Sequence, residues 1–297
     1  MKRITYLFIL SILFGAVWMA CDKIDEPLTL IGEEDIPQNI DDTVFFVDST
    51  IVLHKQVLLE DYTGHKCVNC PEWAIFAHDL AEELNHNLVI IGIHAGYYAI
   101  ADPTGDYTAD LTTPSGEELY TDFLIFANPI GMINRIEYNG NMQILPDNWE
   151  TVVNDQLALD PVAGLTLRNK YFPNLNTVII NIDAVAMSDL AGKYKMCVSI
   201  TENHVVSPQK NNNPDIGPTP DWFDYEHMSL LRDDINTTYG TYISATGEMI
   251  TGEIYNKEFI YQLDESWVTE NCNIVVYLYN EETWEVVQVA ELGIKTE

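Results

Sequence analysis

Two cysteines separated by two residues, Cys67-Val68-Asn69-Cys70, are the side chains of this 297-residue chain whose type and spacing point most directly to chemistry. At the start of a helix, unpaired amide N–H groups and the positive end of the helix dipole stabilise a thiolate and lower its pKa. Only the thiolate attacks a disulfide, and the two-residue spacer leaves the second sulfur within reach of the mixed disulfide that results. Two other readings stand beside this one. In an oxidising compartment the same pair is a local staple for a turn. His65 and His94 could also join the two thiolates around copper or zinc.

The surrounding pattern says which elements must position the pair. Residues 57–62 form an apolar run of the buried-strand type, closed by Thr63-Gly64. From Pro71 onward Trp73, Phe76, Ala77, Leu80 and Leu84 recur at steps of three and four, while Glu72, Asp79, Glu82 and Glu83 take the opposite face, which predicts a helix. Residues 88–93 are continuously apolar, as in a strand covered on both faces of a parallel sheet. Residues 57–94 therefore read as one β-α-β unit, with the cysteines at its strand-to-helix turn. Residues 96–127 show no clear period and read as an insertion over the sheet. Beyond it, residues 131–138 alternate as a strand, Asn139-Gly140 is a two-residue hairpin turn and residues 141–145 return. Asp147 is predicted to cap a helix with Glu150 as its capping-box partner, and with Trp149, Val152, Val153 and Leu157 on one face.

Over about residues 57–159 these features resemble the thioredoxin family in order and spacing: a strand, the Cys-x-x-Cys turn, a proline before a third strand and an Asn-Gly hairpin. The resemblance implies an α/β thioredoxin-like domain in which Cys67 is the nucleophile, Cys70 the resolving thiol and Asp61, six positions before Cys67, a buried proton relay. It also implies that Pro129 follows a cis peptide bond and lies against the dithiol. The sequence departs from the family around the cysteines, with Lys66 in place of the usual tryptophan and Val68-Asn69 in place of Gly-Pro. Partner selection should differ accordingly.

The amino terminus and the charge set the compartment and the partners. Lys2 and Arg3 precede an apolar run, residues 6–20, that is too short to span a bilayer but suits a signal peptide. Ala20-Cys21 resembles the lipobox of bacterial lipoproteins, which implies that residues 1–20 are removed and that Cys21 carries a lipid anchor to the membrane. Residues 21–48, acidic and carrying prolines, read as a tether. Lys and Arg number 14 against 46 Asp and Glu, a net charge of −32, which excludes nucleic acid as a partner because phosphate recognition needs a clustered basic surface.

From Pro161 the character changes to short strands, expected at 164–168, 177–187, 194–202, 254–263, 273–279 and 286–292, with a polar loop at 207–221. Residues 49–160 are thus expected to form the thioredoxin-like domain and residues 161–297 an all-β sandwich of immunoglobulin-like type. Cys197 and Cys272 invite a disulfide in the second domain, but alternation puts Cys197 on the face opposite Met196, Val198 and Ile200, while Cys272 shares phase with Ile274 and Val276. Two separate thiols are the expectation.

A second resemblance covers nearly the whole chain after the signal peptide. Residues 57–64, Cys67 to Pro71, Asn128 to Arg135, the Val-Ser-Pro-Gln ending at Gln209 and the segment from His227 to Arg232 are similar to the Omp twenty-eight-related outer-membrane lipoproteins of Bacteroidota. This resemblance implies an outer-membrane lipoprotein, facing the periplasm or the cell surface, and supplies no substrate. The expected function is a thiol–disulfide oxidoreductase acting on envelope or surface proteins through Cys67 and Cys70, without cofactor or resident metal. The alternative is a surface binding or adhesion lipoprotein whose Cys-x-x-Cys is only a structural disulfide.

Overall fold

Strand β3 (Val57–Thr63) is buried along its whole length, as its unbroken apolar start requires, and sits inside the largest sheet of the described residues. The computed structural model describes residues 45–46 and 50–294. The signal peptide, Cys21 and all of the tether but Phe45–Phe46 lie outside the described residues. In chain order the first half supplies β1 (Phe45–Phe46), β2 (Thr50–Val52), β3, α1 (Cys70–Glu83), β4 (Leu88–His94), α2 (Pro114–Asp122), β5 (Ile130–Ile133) and α3 (Trp149–Leu157). The second half supplies β6 (Ala163–Phe172), β7 (Thr177–Ala186), β8 (Tyr194–Glu202), β9 (Val205–Val206), β10 (Gln209–Lys210), β11 (Asp221–Trp222) and β12 (Glu226–His227). It ends with β13 (Leu230–Asp234), β14 (Thr241–Tyr242), β15 (Ile254–Gln262), β16 (Cys272–Asn280) and β17 (Val286–Gly293).

The expected β-α-β unit is present. Strands β3 and β4 pair in parallel from Val57 opposite Leu88 to Thr63 opposite His94, and β5 pairs antiparallel with β3 on its other side. Helices α1 and α3 cover one face of these strands through Ala77, Leu80, Trp149, Val152 and Val153 packed on Leu59, Ile90 and Ile133. The helical period read from Trp73 to Leu84 and the stripe from Trp149 to Leu157 are the faces that pack. Leu119 of α2 packs on the opposite face with Leu58, Val89, Ile91 and Ile93.

The sheet does not stop at residue 160. Strand β13 lies parallel beside β4, and the full order is β17-β16-β8-β13-β4-β3-β5. Residues from both expected domains therefore share one sheet, and all the described residues fall in one compact unit. The second sheet, β1-β6-β7-β15 with β2 also on β6, packs against β8, β16 and β17 through Leu165, Leu167, Ile180, Ile182, Val198, Ile200, Ile274 and Val276. The structure is mixed α/β with large sheets and few helices. A buried ion pair fastens the two halves: Arg135 donates to both carboxylate oxygens of Glu60 on β3, at 2.8 and 2.7 Å, and to Tyr277 of β16 at 3.1 Å.

Three local expectations change. The segment 96–127 contains α2, capped by Thr113 Oγ1, which accepts from Gly116 N at 3.0 Å, with Pro114 in the first turn. Its buried face includes Ser115 and Gly116, so apolar periodicity could not reveal it. Strand β5 ends at Ile133 rather than 138, because Asn134 and Arg135 take left-handed backbone (φ 46° and 51°) so that Arg135 turns inward to Glu60. The capping box at Asp147 does not form: Asp147 lies in a 3₁₀ turn, and the helix starts at Trp149 after Asn148, with no side-chain cap. The Asn139-Gly140 turn is present, closed by hydrogen bonds of 2.9 and 3.1 Å between Tyr138 and Asn141.

Candidate functional site

The parallel strands β3 and β4 end side by side at Thr63 and His94, and the chain leaving β3 turns through Gly64 into α1. Gly64 is required there: a Cβ would lie 2.6 Å from the carbonyl carbon of Tyr98, whose oxygen accepts from Lys66 N at 3.0 Å. The turn brings Cys67 and Cys70 together as a disulfide, with Cα atoms 5.4 Å apart and Cys70 as the first residue of α1. Asn128 donates its side-chain amide to Thr63 O at 2.8 Å, which ties the Asn128–Pro129 turn to the end of β3. The Asn128–Pro129 peptide bond is cis.

Behind the disulfide is a small cavity of about 20 Å³, lined by Cys70, Asp61, His94, Gln209, Tyr225 and His227 among others. That volume has room for about one water. Asp61 is 3% exposed and its Oδ1 has no hydrogen-bond partner among the described residues. Burial pushes its carboxyl up to about 7. Asp61 and Cys70 thus line one cavity, and Cys67 is joined to Cys70 through the disulfide.

His94 and His227 line this cavity with ring centroids 5.0 Å apart, and the His65 ring lies 6.4 Å from that of His94. Burial lowers all three, His227 to about 3 and His94 well below the ordinary range, the latter also through its neighbours His227, His65 and Arg232. With its carboxyl pushed up to about 7, Asp61 is the group here brought close to neutral pH. His65 Nδ1, His94 Nδ1 and His227 Nε2 are buried without hydrogen-bond partners among the described residues. Among the described residues no group of three or more His, Cys, Asp or Glu side chains is arranged to hold a metal ion, so His65, His94 and the two sulfurs do not form the ligand set that their types suggest.

No motif in the sequence gives residues 205–227 a site role. They fold as a nested hairpin, β9 on β12 and β10 on β11, laid over the cysteine turn. Gln209 Nε2 donates to Cys67 O at 2.9 Å, Lys210 N to His65 O at 2.8 Å and Asn212 N to Val68 O at 3.1 Å. Cys67 and Cys70 are consequently 3% and 2% exposed. Gln209 and His227 stand in two of the segments that carry the family resemblance, but neither composition nor period marks them as neighbours of a cysteine more than 130 residues earlier.

Cys197 and Cys272 are separate buried thiols. Strand β16 runs antiparallel to β8 with Cys197 opposite Tyr277 and Cys272 opposite Glu202, and the two sulfurs belong to cores on opposite faces of the sheet, as their phase predicts.

This arrangement defines a mixed α/β protein with a buried disulfide at a helix start and a carboxyl beside it. Residues 117–297 match the family described as outer membrane protein Omp28, and the chain belongs to that family. The matched stretch begins in α2 and does not include Cys67 or Cys70. Family membership places the chain among outer membrane proteins, and no helix of the described residues is long and apolar enough to cross a membrane. Among solved structures, HBP35 of Porphyromonas gingivalis aligns with a TM-score of 0.60 at 16% identity, over 82% of this chain and 76% of that one, which shows a shared fold. A protein of Agrobacterium tumefaciens aligns at 0.48 and 12% identity over 82% of this chain and 96% of its own. A domain of the outer membrane lipoprotein Omp28 from Porphyromonas gingivalis aligns at 0.30 and 16% identity over 46% and 89%. No curated protein matches the chain.

Proposed function

We propose that this protein is a thiol–disulfide oxidoreductase of the cell envelope, anchored to the outer membrane by a lipid on Cys21 and acting on envelope or surface proteins. In this reading residues 49–160 are a thioredoxin-like domain and residues 161–297 a β-sandwich that presents the partner. The observation that carries it is Asp61. A staple needs no ionisable group behind it, and a buried polar atom without a partner costs about 1–3 kcal/mol. Yet the unpartnered carboxyl lines the same cavity as Cys70.

The oxidised form reacts as follows. A partner thiolate attacks Cys67 Sγ, the Cys67–Cys70 bond breaks, and its electron pair leaves on Cys70, which takes the Asp61 proton. A second partner thiolate then attacks the partner's own sulfur in the mixed disulfide and releases Cys67. The partner loses two electrons and the cysteine pair gains them. Run backwards, the same steps reduce a partner disulfide.

Equilibrium titration in glutathione buffers, read by thiol alkylation and mass, tests this reading. A potential between about −120 and −270 mV falls within the span of known oxidoreductases, whereas one below about −300 mV makes the pair a staple. In addition, Cys70→Ser is expected to trap mixed disulfides through Cys67 in envelope extracts. One observation favours the second reading, a binding lipoprotein with a structural disulfide: both cysteines are buried beneath Gln209.

A further inference from the structure

The hairpin 205–227 carries its own internal contacts. Lys210 pairs with Asp221 at 2.9 Å, the Trp222 and Tyr225 rings meet at 5.1 Å, and Asn211 Nδ2 donates to the carbonyls of Asn213, Gly217 and Pro218. Its entrance and exit are single residues in left-handed backbone, His204 (φ 58°) and Ser229 (φ 49°). Such positions at element ends are where hinges absorb a change of dihedral angles. It meets the cysteine turn through hydrogen bonds of Gln209, Lys210 and Asn212, together with Asn212 Nδ2 to Asn69 Oδ1 at 2.6 Å, while Tyr225 and His227 line the cavity beside Cys70 and Asp221 accepts from Tyr107 outside the hairpin.

The pattern of these contacts is that of a bound peptide. Lys210 and Asn212, two residues apart on one segment, both give their backbone amides to carbonyls of the same turn. Alternate amides facing one partner are how an extended strand adds to an exposed edge. With the hairpin in place, the cavity beside Cys70 has room for about one water and none for a thiol-bearing side chain. We propose that the hairpin 205–227 is a removable internal plug that holds, over the Cys67–Cys70 turn, the place an extended polypeptide substrate takes. When the plug leaves, the carbonyls of His65, Cys67 and Val68 become free acceptors, and the substrate's own N–H groups take them over while its sulfur meets Cys67. This rests on the redox reading and adds the substrate class, an extended thiol-bearing protein segment, and the step that admits it.

The test uses the full-length protein and two rates. Reduction of Cys67–Cys70 by dithiothreitol is followed by alkylation and mass, and amide exchange is followed in peptides spanning 205–227. In the wild type those peptides are expected to exchange faster than peptides from β8 and β16. A neutral hydrogen bond corresponds to about 3- to 10-fold in an opening equilibrium. Gln209→Ala is therefore expected to speed both exchange and reduction about 10-fold. Asn212→Ala, at an exposed position that folding tolerates, is expected to speed both about 3-fold. A reduction rate unchanged in a variant whose hairpin exchanges faster overturns the plug. The substrate class is tested with a ten-residue synthetic peptide bearing one cysteine, against the same peptide N-methylated on the residues flanking it. The unmodified peptide is expected to form its mixed disulfide with the Gln209→Ala protein about 10-fold faster, and equal rates overturn the polypeptide stand-in. A potential below the oxidoreductase range would sink the redox reading while leaving both rates measurable, so the two failures are distinguishable.

Discussion

Replacing Asp61 by asparagine keeps the side chain's size and removes its ionisation, and the structure sets the size of the consequence. Burial raises the carboxyl from 3.8 to about 7. Because the native value lies above the unfolded one, the folded chain keeps a proton that the unfolded chain releases between about pH 4 and 7, so stability falls as pH rises through that window. About three pH units at about 1.4 kcal/mol each set an upper bound of about 4 kcal/mol on the penalty above pH 7. Below pH 4 both states are protonated and the penalty vanishes. After allowing for a buried amide, Asp61→Asn is expected to exceed the parent by about 2–3 kcal/mol at pH 8 and by less than about 1 kcal/mol at pH 4. Guanidinium unfolding of the oxidised proteins at pH 4, 6 and 8, with m-values compared, measures this directly. A difference independent of pH would refute the argument that Asp61 is buried as an ionisable group. The same substitution is expected to slow release of Cys70 during thiol exchange by about 10-fold or more, since proton transfer by a placed side chain contributes at least that much. A stabilised variant with an unchanged exchange rate would separate Asp61 from the chemistry.

Three further outcomes follow from the geometry. Arg135→Met leaves the Glu60 carboxylate buried without its partner and is expected to cost about 3–5 kcal/mol by denaturant unfolding, with much of the loss recovered in the double variant Glu60→Gln/Arg135→Met. In Gly64→Ala a Cβ meets the Tyr98 backbone at 2.6 Å, so the Tyr97–Ala99 turn must shift; a lowered unfolding midpoint, equivalent to about 1–3 kcal/mol, is expected together with faster amide exchange in that turn. Peptide mapping after alkylation in denaturant without reductant is expected to show Cys197 and Cys272 each singly modified and Cys67 joined to Cys70.

Much of the site was legible in the sequence because it is local. A strand, a glycine turn, two cysteines and an amphipathic helix are neighbours in the chain, and hydrophobic period together with helix-start chemistry suffices to place them. The phase of Cys197 and Cys272 was legible for a similar reason, since alternation along a strand decides which face a side chain takes. Helix α2 was hidden because its packed face uses Ser115 and Gly116, and the early end of β5 was hidden because it follows from the partner that Arg135 finds in Glu60.

The sequence by itself determined the β-α-β unit, six of the strands of the second half and the cysteine pair at a helix start, all set by spacing within a few residues, whereas Asp61 was singled out by the resemblance to the thioredoxin family. Only the tertiary structure decided that β13 continues the sheet beside β4, that His227 meets His94 at the cavity beside Cys70 and that Gln209 closes over Cys67. Those contacts join residues more than 130 positions apart. They depend on how one sheet edge finds another, a choice made by packing and hydrogen-bond completion across the whole molecule that no local pattern encodes.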